Sequence, residues 1–451
     1  MTDLSSEHVG QPNRSSASRI GLFAAMAIGI GGMIGAGIFS ILGVVAEAAG
    51  TAMWLSFVIG GVVALLSTYS YAKLGARYPS AGGAVQFLVS GFGDGVLSGG
   101  INLYMWIGYV IALALYAQGF TGYALTFLPP HLPLWISKAI SVGIVLVFTG
   151  VNAIGARVVG GSETFIVIVK LLILGLFSVA GLYFIHPSYL TPALWPSARE
   201  ILFGAGVLFI GYEGFGLIAN AAQDMDDPRK LLPKALYLSV TVVILIYVGV
   251  SLAVVGNLDV RAILAAKDYA LAEAAKPFLG NFGFKLIAVG ALFSTASAIN
   301  ATLFGAANVS YMIARDGELP RTFSWKLRRN ATGGLFITAG LVVLFIMFFD
   351  ISRIAMMGSG AFLLVYACVH AAHLRVTAET GANKSVVVLA MVACLAMLGI
   401  LSVYIYENSR SALITMIALL PTCLAAEWFY RKATGRTIQL RKSLKGSDKA
   451  A

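Results

Sequence analysis

The sequence predicts an all-α membrane protein with twelve transmembrane helices, on the strength of its composition and its hydropathy. Of its 451 residues, 59% are hydrophobic and 11% are charged, whereas about a quarter of the residues of a soluble domain are charged. Long apolar stretches recur from residue 20 to residue 430. A hydrocarbon core about 30 Å thick needs about 20 apolar residues in one helix, so these stretches are long enough to span a membrane.

Twelve segments satisfy this length criterion, and each is predicted to be one transmembrane helix. In chain order they are 20–48, 52–76, 96–127, 135–154, 162–185, 199–222, 234–256, 283–314, 333–349, 352–376, 385–406 and 411–430.

The distribution of basic residues predicts that both termini are cytoplasmic. The net charge is +11, and this orientation puts 22 of the 31 basic residues on the inner side, seven of them in the tail 431–451. Such a bias follows the positive-inside rule. The polar segment 1–19 is expected to be a cytoplasmic tail rather than a signal peptide, because the apolar run after Arg19 is too long for a signal-peptide core. The sequence thus predicts a multi-pass protein of the cell membrane.

Glycine clusters predict that the first and sixth spans are interrupted. The first span contains "GIGGMIGAGIFS" (29–40) and the sixth contains "GAGVLFIGYEGFG" (204–216), each with five glycines. An interior glycine weakens a helix by about 1 kcal/mol relative to alanine. Close packing through a GxxxG face would use Gly31 and Gly35, but it leaves the other glycines of the first span unexplained. Non-helical backbone is tolerated in a membrane where it lines a cavity.

Two interrupted spans, five helices apart, are typical of an inverted-repeat transporter. The first repeat would be 20–185 and the second 199–376, with the helices of 385–430 appended. Half-helix N-termini would face an anionic group and freed carbonyls a cation, which suits a zwitterionic amino acid.

Several motifs resemble amino-acid permeases of the APC superfamily, over nearly the whole chain. They are "MIGAGIFSILG" (33–43), "YAKLGARYPSAGGA" (71–84), "ETFIVIVKLLILGLF" (163–177), "DDPRKLLPKAL" (226–236) and "ALFSTASAINATLFGAANVSYMIARDGELP" (291–320). Similarity is strongest to proton-coupled, broad-specificity archaeal members. The resemblance implies a LeuT-type fold with a 5+5 inverted repeat, in which substrate binds between the first and sixth helices. The implied binding residues are Ile34, Gly35, Ala36, Gly37, Phe209, Ile210, Gly211, Tyr212 and Glu213.

Lys170 is a candidate proton carrier. It lies at the middle of the fifth span, in "FIVIVKLLILGLF", too far from the helix ends for a side chain that snorkels to the interface. Burial disfavours the charged form of a lysine, which would allow proton exchange. The resemblance implies that Lys170 takes the place of sodium, with Gly31, Ser294 and Ser297 as its neighbours. A lysine here also occurs in family exchangers, so it permits proton coupling without proving it.

Glu213 is a second ionisable residue, inside the predicted break of the sixth span. A carboxylate buried in a membrane needs a partner. Glu213 could bind the ammonium group of a substrate or a cationic side chain, act as a second titrating group, belong to a gate, or be a carboxyl held neutral by burial. If it faces the substrate, cationic amino acids or polyamines become better candidates than a broad neutral set. Phe209 and Tyr212 could close over the substrate, although packing is the ordinary role of such aromatic residues.

The remaining features exclude other classes of function. His370 and His373 form an HxxH pair without further ligand candidates, and the three cysteines have no metal or disulfide spacing. No phosphate-binding loop, catalytic set or channel-like ring is visible. The sequence therefore predicts a transporter without cofactor or metal, whose partners are an amino acid, protons and the lipid bilayer, with no nucleic acid. It is expected to be a monomer or a weak oligomer. The open alternatives are proton symport, amino-acid exchange, transport of cationic amino acids or polyamines, and a non-transporting receptor of the same fold.

Overall fold

The computed structural model describes residues 20–80, 82–130, 132–154, 162–315, 319–326 and 332–435. The predicted tail 1–19 and residues 436–451 of the predicted tail 431–451 lie outside these ranges, whereas residues 431–434 belong to the last helix. Within them the backbone is helical, apart from loops and two isolated β-bridges. The helices are α1 Leu22–Ala49, α2 Met53–Arg77, α3 Ala84–Phe92, α4 Val96–Leu125, α5 Leu134–Ile154, α6 Ser162–Tyr183, α7 Ala198–Val207, α8 Gly216–Asn220, α9 Pro228–Asn257, α10 Val260–Ala265, α11 Ala270–Glu273, α12 Lys276–Arg315, α13 Arg321–Ser324, α14 Gly333–Phe348, α15 Ile351–Arg375, α16 Thr377–Thr380, α17 Lys384–Asn408 and α18 Arg410–Thr434.

Each predicted apolar segment coincides with helical structure. Ten helical stretches of the described residues are long and apolar enough to cross a membrane, and one of them, Leu22–Arg77, consists of α1 and α2 and contains two predicted segments. The segment predicted at 333–349 forms the shorter apolar helix Gly333–Phe348. The protein is thus an all-helical, multi-pass membrane protein with about ten candidate transmembrane helices.

The ends of the helices follow from local sequence. Ser197 and Glu200 form a capping box at the start of α7, in which Ser197 N donates to Glu200 Oε2 at 2.8 Å. The Asp350 side chain caps α15 by accepting from Arg353 N at 2.9 Å. At the end of α1, Gly50 has a φ of 51°, a conformation that favours glycine. A second such glycine, Gly280 with a φ of 60°, kinks α12 near its start.

The prediction that the first span is interrupted is wrong, because α1 is one continuous helix over 28 residues. Its glycines serve close packing on several faces instead. A Cβ on Gly29 would lie 2.5 Å from Ile218 Cγ1, and one on Gly35 would lie 3.0 Å from Ser294 O. Because α1 is surrounded by the sixth span, α9 and α12, small residues are needed on more than one side, which a single GxxxG stripe does not provide.

The sixth span, by contrast, changes its helix type in the middle. The α-helix α7 ends at Val207, a 3₁₀-helix runs over Leu208–Phe215, and α8 continues to Asn220. A 3₁₀ stretch inside a long helix is unusual, and its hydrogen bonds are less well aligned than those of an α-helix. The glycine cluster 204–216 therefore marks a change of backbone geometry in this span, at the place where the sequence predicted an interruption.

Candidate functional site

The 3₁₀ segment crosses α1 at backbone-to-backbone contact. A Cβ on Gly37 would lie 2.9 Å from Gly211 O, and one on Gly32 would lie 3.2 Å from Gly214 Cα. A Cβ on Gly214 would overlap the backbone at Met33. Any side chain at these positions would separate the two elements, so the glycines are what bring residues 32–37 and 211–214 together.

Tyr247 of α9 joins the two elements at this crossing. Its hydroxyl lies 2.6 Å from Met33 O and 2.9 Å from Gly211 O, and these two carbonyls share its single hydrogen. The side chain is fully buried, and its ring makes an edge contact with Phe57. The hydroxyl of Tyr247 therefore contacts the backbone of both α1 and the 3₁₀ segment.

Ser359 of α15 holds the junction where α7 becomes the 3₁₀-helix. Ser359 Oγ donates to Val207 O at 2.6 Å and accepts from Ile210 N at 2.9 Å. A change from α to 3₁₀ geometry rearranges the backbone hydrogen bonds around the junction. A serine hydroxyl is both donor and acceptor, so it satisfies one backbone carbonyl and one backbone N–H at this junction.

Glu213 is buried in the same segment, with one carboxylate oxygen paired and one unpaired. Tyr116 of α4 donates its hydroxyl to Glu213 Oε1 at 2.8 Å, and Tyr366 of α15 donates to Glu213 O at 2.9 Å. Glu213 Oε2 has no hydrogen-bond partner among the described residues, and no basic side chain in that part of the chain forms an ion pair with it. A buried carboxylate in this condition is costly unless a proton or a cationic group neutralises it.

The two aromatic residues expected to cover the substrate are packed into the core. Tyr212 donates its hydroxyl to Phe57 O at 2.8 Å and stacks at an angle on Tyr247. Phe209 makes an edge contact with Tyr366. Both side chains are fully buried. In this conformation they hold the 3₁₀ segment against α2 and α15.

The other predicted substrate-binding residues lie at the same crossing. Ile34 and Ile210 are buried, and Gly35 packs against α12, where a Cβ would lie 2.5 Å from Ala298 Cβ. The side chain of Ala36 lies outside the described part of the structure. The site predicted from sequence is thus brought together in space by α1 and the 3₁₀ segment.

Lys170 lies on the buried stripe of α6 and reaches α1. The buried residues in the described part of this helix lie on one face, and they are Val167, Lys170, Leu174, Phe177, Ser178 and Gly181. Only 2% of Lys170 is exposed, and its Nζ donates to Gly31 O at 3.0 Å. The ammonium group therefore approaches α1 beside Gly32, which packs on the 3₁₀ segment.

The two serines expected near Lys170 are both on α12. Ser294 is buried, and its hydroxyl has no hydrogen-bond partner within the described ranges. Ser297 lies three residues further on and is partly buried. Ser294 lies against α1, because its carbonyl oxygen would lie 3.0 Å from a Cβ on Gly35.

His370 and His373 lie in a hydrogen-bonded cluster with side chains of α2 and α16. Ser70 Oγ lies 2.8 Å from His370 Nδ1 and 2.9 Å from His373 Nδ1. The second nitrogen of His373 bonds to Thr380 Oγ1. No group of metal-ligating side chains is present among the described residues.

Sequence reasoning missed the residues that support the site, namely Tyr116, Tyr247, Ser359 and Tyr366. Three are tyrosines within apolar spans, a residue type whose hydroxyl needs a partner when it is buried. That rule identifies candidates. It does not pair Tyr116 with Glu213, because the two residues are 97 positions apart.

A family model for amino acid permeases matches residues 20–426. The chain belongs to the amino acid permease family. This permease is 42% identical over 420 residues to an uncharacterised protein of Methanocaldococcus jannaschii, covering 93% of the chain and 97% of that protein. It is 33% identical over 424 residues to the inner membrane transport protein YbaT of Escherichia coli, covering 92% and 97%. It is 28% identical over 329 residues to cationic amino acid transporter 9 of Arabidopsis thaliana, covering 69% and 57%.

These comparisons confirm the resemblance to the APC superfamily. The family and the names of the relatives indicate a transporter, not an enzyme. The permease is therefore an amino-acid transporter of a membrane.

Proposed function

We propose that this permease is a secondary active transporter that carries amino acids inward together with protons, by alternating access. The contact from Lys170 Nζ to Gly31 O carries the proposal. A basic group buried between two membrane helices is a functional candidate by default. It also lies beside the crossing of the first and sixth spans, where we place the substrate.

The fold proposed for this function has twelve spans in two inverted repeats of five, followed by two further helices. The first repeat is 20–185 and the second is 199–376, with both termini in the cytoplasm of a cell-membrane protein. The coincidence of every predicted segment with a helix supports this arrangement, as does the excess of basic residues on the inner side. We take the permease to act as a monomer or weak oligomer without a cofactor.

The substrate is proposed to bind where residues 34–37 of α1 face residues 209–213. Glycines bring the backbones of the two elements into contact here, so a small ligand that separates them would contact backbone groups of both. Tyr247 hydrogen-bonds to both elements, so separation of α1 from the 3₁₀ segment would break at least one of these contacts. Binding and the movement of these elements would thereby be coupled.

Lys170 is proposed to act as the proton carrier. In its charged form it donates to Gly31 O and holds α6 against α1, and Ser294 supplies a further hydroxyl nearby. Loss of the proton removes the charge that strengthens this hydrogen bond, which loosens α1. Proton release toward the cytoplasm would then accompany release of the substrate.

The deciding experiment measures uptake of labelled amino acids into sodium-free proteoliposomes, with and without an inward proton gradient. We expect the gradient to stimulate uptake by the wild type and to have no effect on Lys170→Ala. Lys285→Ala is the matched control, because Lys285 is an exposed lysine of α12, and it should keep the stimulation. Uptake that is independent of the proton gradient and requires amino acid inside the proteoliposomes would instead identify an exchanger. Lys170 would then be a fixed structural cation.

A second candidate function, transport of cationic amino acids or polyamines, is favoured by the unpaired Oε2 of Glu213. A cationic group of the substrate would neutralise this carboxylate. One relative is named a cationic amino acid transporter. Uptake of labelled arginine and of labelled leucine distinguishes this function from transport of neutral amino acids. If the permease carries cationic substrates, Glu213→Gln lowers arginine uptake more than leucine uptake. Equal effects on both would assign Glu213 to proton transfer or to packing.

A further inference from the structure

A cavity of 370 Å³ lies at one end of the helical bundle, between α2, α9 and α16. It is away from the crossing of α1 and the 3₁₀ segment, and none of the predicted substrate or proton residues lines it. Three basic residues face it, Lys73, Arg77 and Arg229, together with one carboxylate, Glu379.

Two helices supply matching rows of residues to this cavity. Tyr69, Lys73 and Arg77 follow one another at four-residue spacing along the last turns of α2. On α9, Arg229, Pro233 and Tyr237 follow the same spacing from its first turn. Residues four positions apart share a helix face. Each row therefore presents a basic group at the helix end and a tyrosine two turns deeper.

Within the described part of the chain, Glu379 offsets only part of the positive charge of the cavity. Glu379 Oε2 accepts a hydrogen bond from the hydroxyl of Tyr78 at 2.6 Å, and Lys73 donates to a backbone carbonyl, that of Gly381. No described carboxylate forms an ion pair with Lys73, Arg77 or Arg229, whereas the neighbouring Lys230 pairs with Asp227 at 3.5 Å. Arg77 and Arg229 are exposed, so solvent screens part of the repulsion between the basic groups, and an anion between them would relieve the rest.

We propose that this cavity binds a phosphate group, and that its source is the headgroup of an anionic phospholipid. Guanidinium groups match phosphate oxygens by paired hydrogen bonds, and a lysine adds a point charge. Arg229 belongs to the first turn of the long helix α9, whose N-terminus favours an anion. Basic pockets between membrane helices at the cytoplasmic side bind anionic headgroups. The cytoplasmic location depends on the proposed orientation. The binding chemistry does not.

The bound phosphate would connect three elements, since α2 and α9 belong to different proposed repeats and α16 follows α15. It would thereby stabilise the arrangement of these helix ends. Free inorganic phosphate offers the same chemistry, so the experiment must distinguish the two sources.

The test uses the full-length protein in nanodiscs of phosphatidylcholine, with increasing fractions of phosphatidylglycerol. Native mass spectrometry counts the phosphatidylglycerol molecules retained, and thermal unfolding reports the stabilisation. In a second arm, inorganic phosphate is titrated into nanodiscs of phosphatidylcholine alone. We expect Arg77→Gln and Arg229→Gln each to weaken retention of phosphatidylglycerol about fivefold, the contribution of one basic residue near a membrane surface.

Two further variants make the result decisive. Arg229→Lys keeps the charge and should retain most of the binding. Lys432→Gln removes a basic residue of α18 that lies over the ring of Trp428, away from the cavity, and should change nothing. Stabilisation by inorganic phosphate that is lost in Arg229→Gln would assign the site to free phosphate. Equal losses in Lys432→Gln and Arg229→Gln, or no effect of either anion, would overturn the proposal.

Discussion

At the scale of single residues, the site depends on side chains that hydrogen-bond across elements. Tyr247, Ser359 and Tyr366 each donate to the backbone of α1 or of the sixth span. Composition and spacing predicted that Lys170 and Glu213 would be buried, because no other charge lies near either residue in its span. They did not predict these supporting partners, because a hydroxyl in an apolar span carries no information about which distant carbonyl accepts from it.

The hydroxyl of Tyr247 provides a direct test of this support. Tyr247→Phe removes the one donor that Met33 O and Gly211 O share, without changing the shape of the ring. Because buried hydrogen bonds in membrane proteins contribute about 0.6 kcal/mol on average, we expect a small loss in melting temperature and a clear rise in KM. Tyr183→Phe, at an exposed ring, should change neither. Unaltered KM in Tyr247→Phe would contradict a role for this contact in binding.

The buried carboxyl of Asp268 should make the stability of the folded protein depend on pH. It lies between α10 and α11, outside the membrane-spanning helices, and burial raises the pKa of its carboxyl above the usual range even though Lys267 opposes the shift. A raised folded-state pKa means that the folded protein binds this proton more tightly than the unfolded chain. The stability that the proton contributes is therefore present at low pH and is lost as the pH rises through the folded-state pKa.

We expect Asp268→Asn to remove this loss. Relative to the wild type, the variant should become more stable as the pH increases from about 4, where a free aspartate titrates, to neutral. Melting temperatures of both proteins in neutral nanodiscs across this range provide the measurement. Asp259→Asn, at an exposed helix cap, is the control for loss of a carboxylate. A constant difference between Asp268→Asn and the wild type at every pH would refute the argument.

At the scale of elements, the sequence predicted where helices lie better than it predicted their internal geometry. Segment positions followed from apolar length, which the membrane imposes directly. The glycines of the first and sixth spans, however, produce opposite results: α1 stays continuous and Leu208–Phe215 becomes a 3₁₀-helix. Glycine permits both close packing and irregular backbone. Which of them occurs depends on the neighbouring helices, and a single sequence does not specify those neighbours.

Gly37 tests whether the glycines of α1 serve packing. Gly37→Ala would place its Cβ 2.9 Å from Gly211 O and against the Tyr247 hydroxyl, so we expect a loss of stability on the order of 1–3 kcal/mol from overpacking. Gly340→Ala is the control, because nothing lies within 4 Å of its Cβ in the helix α14. There the higher helix propensity of alanine should leave stability equal or slightly higher. Equal thermal stabilities of the two variants would contradict close packing at Gly37.

At the scale of the whole molecule, the end of the bundle predicted to face outward is closed by contacts between three elements. Glu47 of α1 pairs with Lys267 at 2.5 Å, and Ser352 of α15 lies 3.1 Å from the second carboxylate oxygen. A Cβ on Gly43 would overlap the backbone at Lys267. Access to the crossing of α1 and the sixth span from this side therefore requires α1 to separate from the segment 267–269.

Because the Glu47–Lys267 pair holds this end closed, its removal should favour the outward-open conformation. A partly exposed ion pair contributes about 0.2–1 kcal/mol, which corresponds to a shift of up to about fivefold between two conformations. The probe is Ser40→Cys, at a buried position of α1 beside Gly119, labelled from outside with a membrane-impermeant maleimide. Labelling should be faster in Lys267→Gln than with native Lys267. Lys276→Gln is the control, because it removes a local ion pair with Glu273 and should leave the labelling rate unchanged. A labelling rate that Lys267→Gln does not change would show that packing around Gly43, rather than the ion pair, keeps this end closed.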